Sequence, residues 1–402
     1  MSRYLPLRPH RPRDPDGNEI VVVSLEAWDD HWRRNQYLVA GLLRADPTLR
    51  VLFVEPATDP LHELRRGFLP RPGKGLRRAT DLEGVDPDRL WLYQPTKILP
   101  RRIDPVVDGR LAALTRRAAR RAGLTHPVLW INDPAAANLL DLTSWPALYD
   151  VTDDWLAANR TSEELRRLAA DERTLLVGCG EVVVCSEHLA RSKGADRAVT
   201  LITNAVDLDR YRRPVPRPPD LPAGPVALYL GTVHHDRFDV PTLLRTAREL
   251  DGTGTVVLVG PLVDLSTEEV RALRAAGVRL LGSRPWSAVP GYLQHATVLL
   301  VPHLVNDFTD SLDPIKLYEY RAVGRPVVAT PVAGFRDTTD PQVTVAAAAD
   351  FASAVREILS APGTGAEDRL ADVAEDVPTW EGQTRRMAEV IERLRSPVPT
   401  RR

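Results

Sequence analysis

The segment 307–331, DFTDSLDPIKLYEYRAVGRPVVATP, holds the residues best spaced for chemistry. Asp313 suits a helix N-cap, and Pro314 suits the first helical position, where a missing N–H costs nothing. The free amides of such a helix start would face a phosphate. Lys316 falls in the first turn, where a cation opposes the helix dipole unless an anion neutralises it. Glu319, one turn further, is placed to accept hydrogen bonds from sugar hydroxyls. An ordinary capped helix with solvated charges would show the same pattern. A second segment, GTVHHDRFDVPTLL (231–244), follows a strand-like run. The small residues Gly231 and Thr232 let a ligand approach the backbone. Asp239 can cap the next helix, and the fork of Arg237 can pair with a phosphate. His234 and His235 read as loop residues. In the first half, YDVTDDW (149–155) puts Asp153 and Asp154 after a strand, as capping residues or as a general base. Asp133 and Asp29 are outside candidates for that base. No His/Asp/Glu cluster has metal-ligand spacing. Cys179 and Cys185 read as small buried hydrophobes. No dinucleotide-type glycine fingerprint follows the first strand of either half, which argues against a dehydrogenase.

Two α/β halves would position these residues. Short β-branched runs at EIVVVSLEAW (19–28), RVLFVEP (50–56), LWLYQ (90–94), PVLWIN (127–132), ALYDVT (147–152), EVVVCS (181–186) and VTLIT (199–203) read as buried strands. Helical patterns lie between most of them, notably at 36–44, 108–122 and 162–176. Seven of the seventeen residues in 209–225 are proline or glycine, so a stiff linker is expected there. Strands then recur at 226–231, 255–260, 278–282, 297–302 and 326–330. Helices are expected at 240–251, 266–276, 287–295 and 314–323, and a last amphipathic helix at 380–394. The expected fold is α/β, with two Rossmann-like open parallel sheets facing across a cleft. Its parts are an irregular arm (1–17), a first domain (18–208), the linker (209–225), a second domain (226–375), and a final helix and tail (376–402). Ligands of open parallel sheets bind at the carboxyl ends of the strands, here inside the cleft.

Composition narrows the function. The chain has 402 residues and a formal net charge of -1, so a nucleic-acid-coating protein is excluded. Two cysteines exclude a disulfide framework. Only four of the 53 basic residues are lysine, a ratio that fits a high-GC bacterium and leaves pyridoxal phosphate few attachment points. The N-terminal stretch has no apolar core of a secretion signal, and no apolar run is long enough to span a bilayer. A cytoplasmic protein is expected. The segment 61–80 carries six basic residues and one acid, with Phe68 and Leu69 among them. It is a candidate for peripheral contact with an anionic inner membrane face, or for a loop over a soluble acceptor. Trp28, Trp32 and Trp155 lie near the expected cleft edge, for stacking on a sugar or for packing.

The motifs GTVHHDRFDVPTLL, VRLLGSRPWSAVPGYLQHATVLLVPH and above all PIKLYEYRAVGRPVV make the second half resemble the nucleotide-sugar-binding domain of GT-B-fold glycosyltransferases. The resemblance is to the group-1 or family-4 superfamily, closest to its teichuronic-acid-type subset. WRRNQYLVAGLL, YDVTDDW, VVVCSEHLA, ITNAVDLDRY and the final TWEGQTRRMAEVI extend it over roughly 20–395. It implies a hexosyltransferase that takes a nucleoside diphosphate sugar, with no cofactor and no metal, and retains the anomeric configuration. Glu319 matches the glutamate that binds the ribose hydroxyls. Arg237 falls at a basic diphosphate-binding position, while Thr232 replaces a second, usual arginine. The amides of Ser311 and Leu312 would face the diphosphate, and Gly282 to Arg284 the nucleobase edge. Catalytic roles fall to Arg237 and Lys316, which stabilise the leaving group. Asp153 and Asp154 would act as base if the enzyme inverts. Two departures stand out: Ser311 replaces the first glutamate of the usual Glu-x7-Glu, and Asp153 stands where a histidine is common. The resemblance also admits a nucleotide-sugar epimerase, or a non-catalytic partner of another transferase. The acceptor is a cell-envelope polymer or a natural product.

Overall fold

The structure is a computed structural model describing residues 18–361 and 377–396, apart from 66, 68, 81 and 159. The expected arm 1–17, the end of the second domain at 362–375 and Phe68 lie outside the described residues. The first domain is built on β1 (Glu19–Val23), β2 (Arg50–Val54), β3 (Gly75–Arg78), β4 (Leu90–Gln94), β5 (Val128–Ile131), β6 (Ala147–Val151), β7 (Glu181–Val184) and β8 (Thr200–Leu201). Their order is β3-β4-β2-β1-β5-β6-β7-β8, parallel except for β3, which runs antiparallel at the edge. The five residues of β1 and of β6 are all buried, as strands covered on both faces must be. The edge strand β3 lacks an apolar run, and its sequence, GLRR, gave no strand signal.

The second domain has β9 (Val226–Leu230), β11 (Thr255–Val259), β13 (Arg279–Gly282), β14 (Val298–Val301), β15 (Val327–Ala329) and β16 (Val343–Val345). They form a parallel sheet in the order β13-β11-β9-β14-β15-β16. The short β10 (Val233–His234) and β12 (Leu262–Val263) pair beside it. The segment 209–225 is not extended throughout. It opens within the helix Leu208–Arg212, which Asp207 caps through a bond from the Arg210 amide. Tyr211 and Leu221 then anchor it in the core of the second domain. The last helix, Trp380–Arg395, crosses back. It packs along the helix Arg34–Ala45 and buries Met387, Val390 and Ile391 in the first domain's core. No described helix is long and apolar enough to cross a membrane.

Candidate active site

Strand order changes direction between β1 and β5 in one sheet and between β9 and β14 in the other. At such switch points the two flanking loops diverge and leave a crevice. In the second domain these are the loops after β9, with Gly231 and Arg237, and after β14, with His303 and Ser311. In the first they follow β1, with Glu26, and β5, with Asn132 and Asp133.

The second-domain crevice is positively charged. Gly231 has φ +133°, and a Cβ there would stand 2.6 Å from Lys316 Nζ. Glycine thus admits the lysine tip, which lies 5.1 Å from the centre of the Tyr229 ring. Gly260 closes in behind, with φ +142° and no room for a Cβ beside the Gly231 carbonyl. Arg237 lies across the Phe308 ring, 5.2 Å from its centre, and its Nε is 3.2 Å from Asp236. Both cations act on the buried His303, whose pKa falls well below its usual value through burial and then through Lys316 and Arg237. His303 is therefore neutral, with Nε2 3.2 Å from the Tyr229 hydroxyl. The backbone carbonyl of Thr232 accepts from that same hydroxyl at 3.1 Å.

The helix expected at 314–323 forms as Ile315–Val323. Asp313 does not cap it, contrary to expectation. Its carboxylate instead accepts the Asn204 amide and the Tyr318 hydroxyl, the latter at 2.6 Å. The amides of Leu312, Ile315 and Lys316 make no hydrogen bond among the described residues, so the helix start remains open to an anion. Glu319 accepts a 2.5 Å hydrogen bond from Tyr211, which braces one oxygen. Burial raises its pKa, while Tyr211, Lys316 and Arg210 oppose the rise.

The side chains of two expected donor residues, Arg284 and Ser311, are engaged within the protein. The guanidinium of Arg284 turns to the linker, donating to Asp220 at 2.6 Å and to the Tyr292 hydroxyl at 3.0 Å. Gly282, at φ +72°, keeps an open face toward the sheet edge. Ser311 is fully buried and joins the domains. Its hydroxyl receives the Asp154 amide at 3.3 Å, and its carbonyl receives the Ser186 hydroxyl at 2.8 Å.

The two aspartates of YDVTDDW separate in role. Asp154 pairs with Lys193 at 3.2 Å, and Lys193 also holds Glu172 at 2.8 Å, so Asp154 is bound into an ion network. Asp153 accepts from Thr152; burial raises its pKa, while the Thr152 bond and the charge of Arg237 oppose this. The outside candidates have structural roles. Asp133 caps the turn Pro134–Ala136, and Asp29 accepts from His31 and Arg33. Trp28 packs edge-on to Phe53, Trp32 stacks on Trp286 of the second domain at 5.8 Å, and Trp155 lies 6.3 Å from Phe308. Both cysteines are buried and free. Among the described residues no group of His, Cys, Asp and Glu could hold a metal ion. Sequence reasoning missed Glu26, in SLEAWDDHW immediately after β1. Its place at the carboxyl end of a central strand was the available signal.

Comparison with known proteins agrees with this geometry. Residues 224–361 match the family Glycosyl transferases group 1. Over 332 residues the chain is 24% identical to a Bacillus subtilis (strain 168) protein provisionally described as the teichuronic acid biosynthesis glycosyltransferase TuaH, covering 77% of this chain and 80% of the relative. Sucrose-phosphate synthase from Thermosynechococcus elongatus superposes with a TM-score of 0.66 at 18% identity, over 94% of this chain and 99% of that one. Anabaena Alr3699/HepE, solved with UDP and glucose, superposes with a TM-score of 0.59 at 12% identity, over 93% and 99%. Two facing Rossmann-like domains with a cationic crevice in the second define a GT-B fold. The chain has the GT-B fold, and its second domain carries the glycosyl transferases group 1 match.

Proposed function

We propose that the protein transfers a hexose from a nucleoside diphosphate sugar to a hydroxyl acceptor, with retention and without a metal. One observation carries this reading: Lys316 and Arg237 both act on the buried His303 at the second domain's switch point, beside the open helix start. Negative charge builds on the diphosphate as its bond to the anomeric carbon breaks. Fixed cations and amides stabilise that charge without rearranging. Glu319 is the partner for the ribose hydroxyls, with Tyr211 fixing its rotamer. The main chain at Gly282, rather than the Arg284 side chain, is the surface for the base. Retention follows the family likeness, with the acceptor attacking on the leaving group's face. Uridine is the first base to test, since the HepE neighbour was solved with UDP.

The acceptor reading is a cell-envelope polymer or natural product. Leu64, Leu69, Ile98, Ile103 and Val106 are exposed on two segments joined by the Thr58–Thr96 bridge. Arg65, Arg71, Lys74 and Arg102 lie exposed in the same segments. Apolar tips among cations suit an anionic lipid surface bearing the acceptor.

The test is incubation with UDP-, GDP-, ADP- and dTDP-glucose, with and without a chelator, followed by product analysis by NMR. Transfer or hydrolysis with an axial anomeric product and no chelator sensitivity supports the reading. An equatorial product refutes retention. Isomerised donor without release of nucleotide indicates an epimerase instead.

A further inference from the structure

The loop 283–286 leads from Gly282, at the end of β13, to the half-buried Trp286. Trp286 sits in a clamp whose other members come from outside its domain. Arg210, on the linker helix Leu208–Arg212, donates to the Trp286 carbonyl at 2.7 Å. Its guanidinium also lies over the indole, 3.0 Å from the ring centre. Trp32, between β1 and the helix Arg34–Ala45 of the first domain, stacks on the same indole at 5.8 Å, with the planes 24° apart. Tyr37 approaches it at 6.1 Å and is itself stacked on Trp380 of the last helix at 4.6 Å. A cavity of about 1020 Å³ opens beside these rings, lined by Trp32, Tyr37, Trp286 and Trp380. With open space on that side, the indole depends on Arg210, Trp32 and Tyr37 for its place. Two residues earlier, Arg284 ties the same loop to the linker through Asp220 at 2.6 Å. The loop is thus fastened twice to the linker and once to the first domain.

We propose that Arg210 and Trp32 are positioning residues for donor-base selectivity. By clamping Trp286 they hold the loop 283–286, and with it the base-facing main chain at Gly282, in one arrangement. The choice of base is then set by the linker and the first domain, and not by the second domain alone. This rests on the transfer reading above, which leaves the origin of base choice open. A loop fixed in advance fits one base shape and needs no ordering when that base binds. A loop set free adapts to several bases, and each must order it anew, so the best base loses more than the others.

The test is calorimetry on the full chain with UDP, GDP, ADP and dTDP, and with inorganic pyrophosphate, which has no base. Arg210→Met keeps the length of the side chain and removes its charge and donors. Arg210 adjoins Tyr211, the brace of Glu319, so Trp32→Ala is the second variant and opens the clamp from the other domain. The quantity read is the affinity ratio between the tightest and the weakest of the four nucleotides. It should fall roughly 10-fold in Arg210→Met, the size of a hydrogen bond to a charged group. In Trp32→Ala it should fall roughly 2- to 12-fold, the size of an aromatic pair. Pyrophosphate affinity is unchanged in both, and Trp32→Phe keeps the stack and the ratio. Variants that unfold at lower temperature but keep the wild-type ratio overturn the proposal alone, leaving the clamp merely structural. Pyrophosphate affinity that falls in step with nucleotide affinity also overturns it, because the damage then reaches the whole site. Wild-type protein that binds all four nucleotides equally overturns it and leaves the transfer reading standing. Wild-type protein that binds none of them removes the transfer reading and this one with it.

Discussion

Glu319→Ala separates binding from bracing at the donor site. One carboxylate oxygen takes the Tyr211 hydroxyl at 2.5 Å, and the other remains for a ligand. A hydrogen bond to a charged group contributes about 1.5–3 kcal/mol, so its loss weakens nucleoside diphosphate binding roughly 10- to 150-fold. A second cost falls on the fold. Tyr211 is 1% exposed, and its stranded hydroxyl costs about 1–3 kcal/mol. Thermal unfolding with and without UDP resolves the two. At 100 times the wild-type dissociation constant, UDP stabilises the wild type by about 2.7 kcal/mol. A variant bound about 100-fold more weakly retains only about 0.4 kcal/mol of that. Glu319→Gln keeps an acceptor for Tyr211, so most of the unliganded stability returns while the ligand effect stays small. An alanine variant that is destabilised yet gains the full ligand effect would refute the reasoning and leave Glu319 as a brace for Tyr211.

Three further expectations follow from the geometry. Gly231→Ala puts a left-handed φ on a side-chain-bearing residue, at about 1–3 kcal/mol, and drives the Lys316 tip from its place 2.6 Å from the new Cβ; diphosphate affinity should fall about tenfold, and unchanged affinity would detach Lys316 from the site. Burial raises Asp313 from an ordinary 3.8 to about 6. Between those values the folded chain holds a proton the unfolded chain has lost, so stability falls as pH rises through that window, by about 2–3 kcal/mol. Asp313→Asn should flatten that part of the profile in urea unfolding, and parallel profiles would disprove it. Liposome flotation should show binding that needs anionic lipid and is lost in Leu69→Glu; binding indifferent to lipid charge would exclude the patch as the contact.

The two parallel sheets were legible because their strands are buried on both faces and read as continuous apolar runs between helical patterns. The edges were not. β3 is GLRR, and β16, VTV, is largely exposed and too short to stand out. Of the residues proposed for the donor site, Gly231 follows β9 directly and Lys316 and Glu319 sit on the helix Ile315–Val323, whose start the sequence pattern marked. Asp153 and Asp154 are adjacent in sequence, and only three-dimensional packing ties one to Lys193 and leaves the other buried beside Thr152. Asp313 had the residue type and spacing of a cap, but Asn204, over a hundred residues away, claimed its carboxylate. Such long-range competition is invisible to local rules, as is the use of Ser311 as an interdomain contact.

The final helix has a consequence for biosynthesis. Trp380, Met387, Val390 and Ile391 complete the hydrophobic core of the domain translated first. While the ribosome is still making the second domain, the first has an apolar seam open along the helix Arg34–Ala45. Domains usually fold as they emerge, N-terminal first. Here the earlier domain lacks part of its core until the helix Trp380–Arg395 emerges, so a nascent chain stalled near residue 376 would expose that seam to chaperones. A premature stop there would damage the first domain, though every residue lost lies beyond the second domain's sheet.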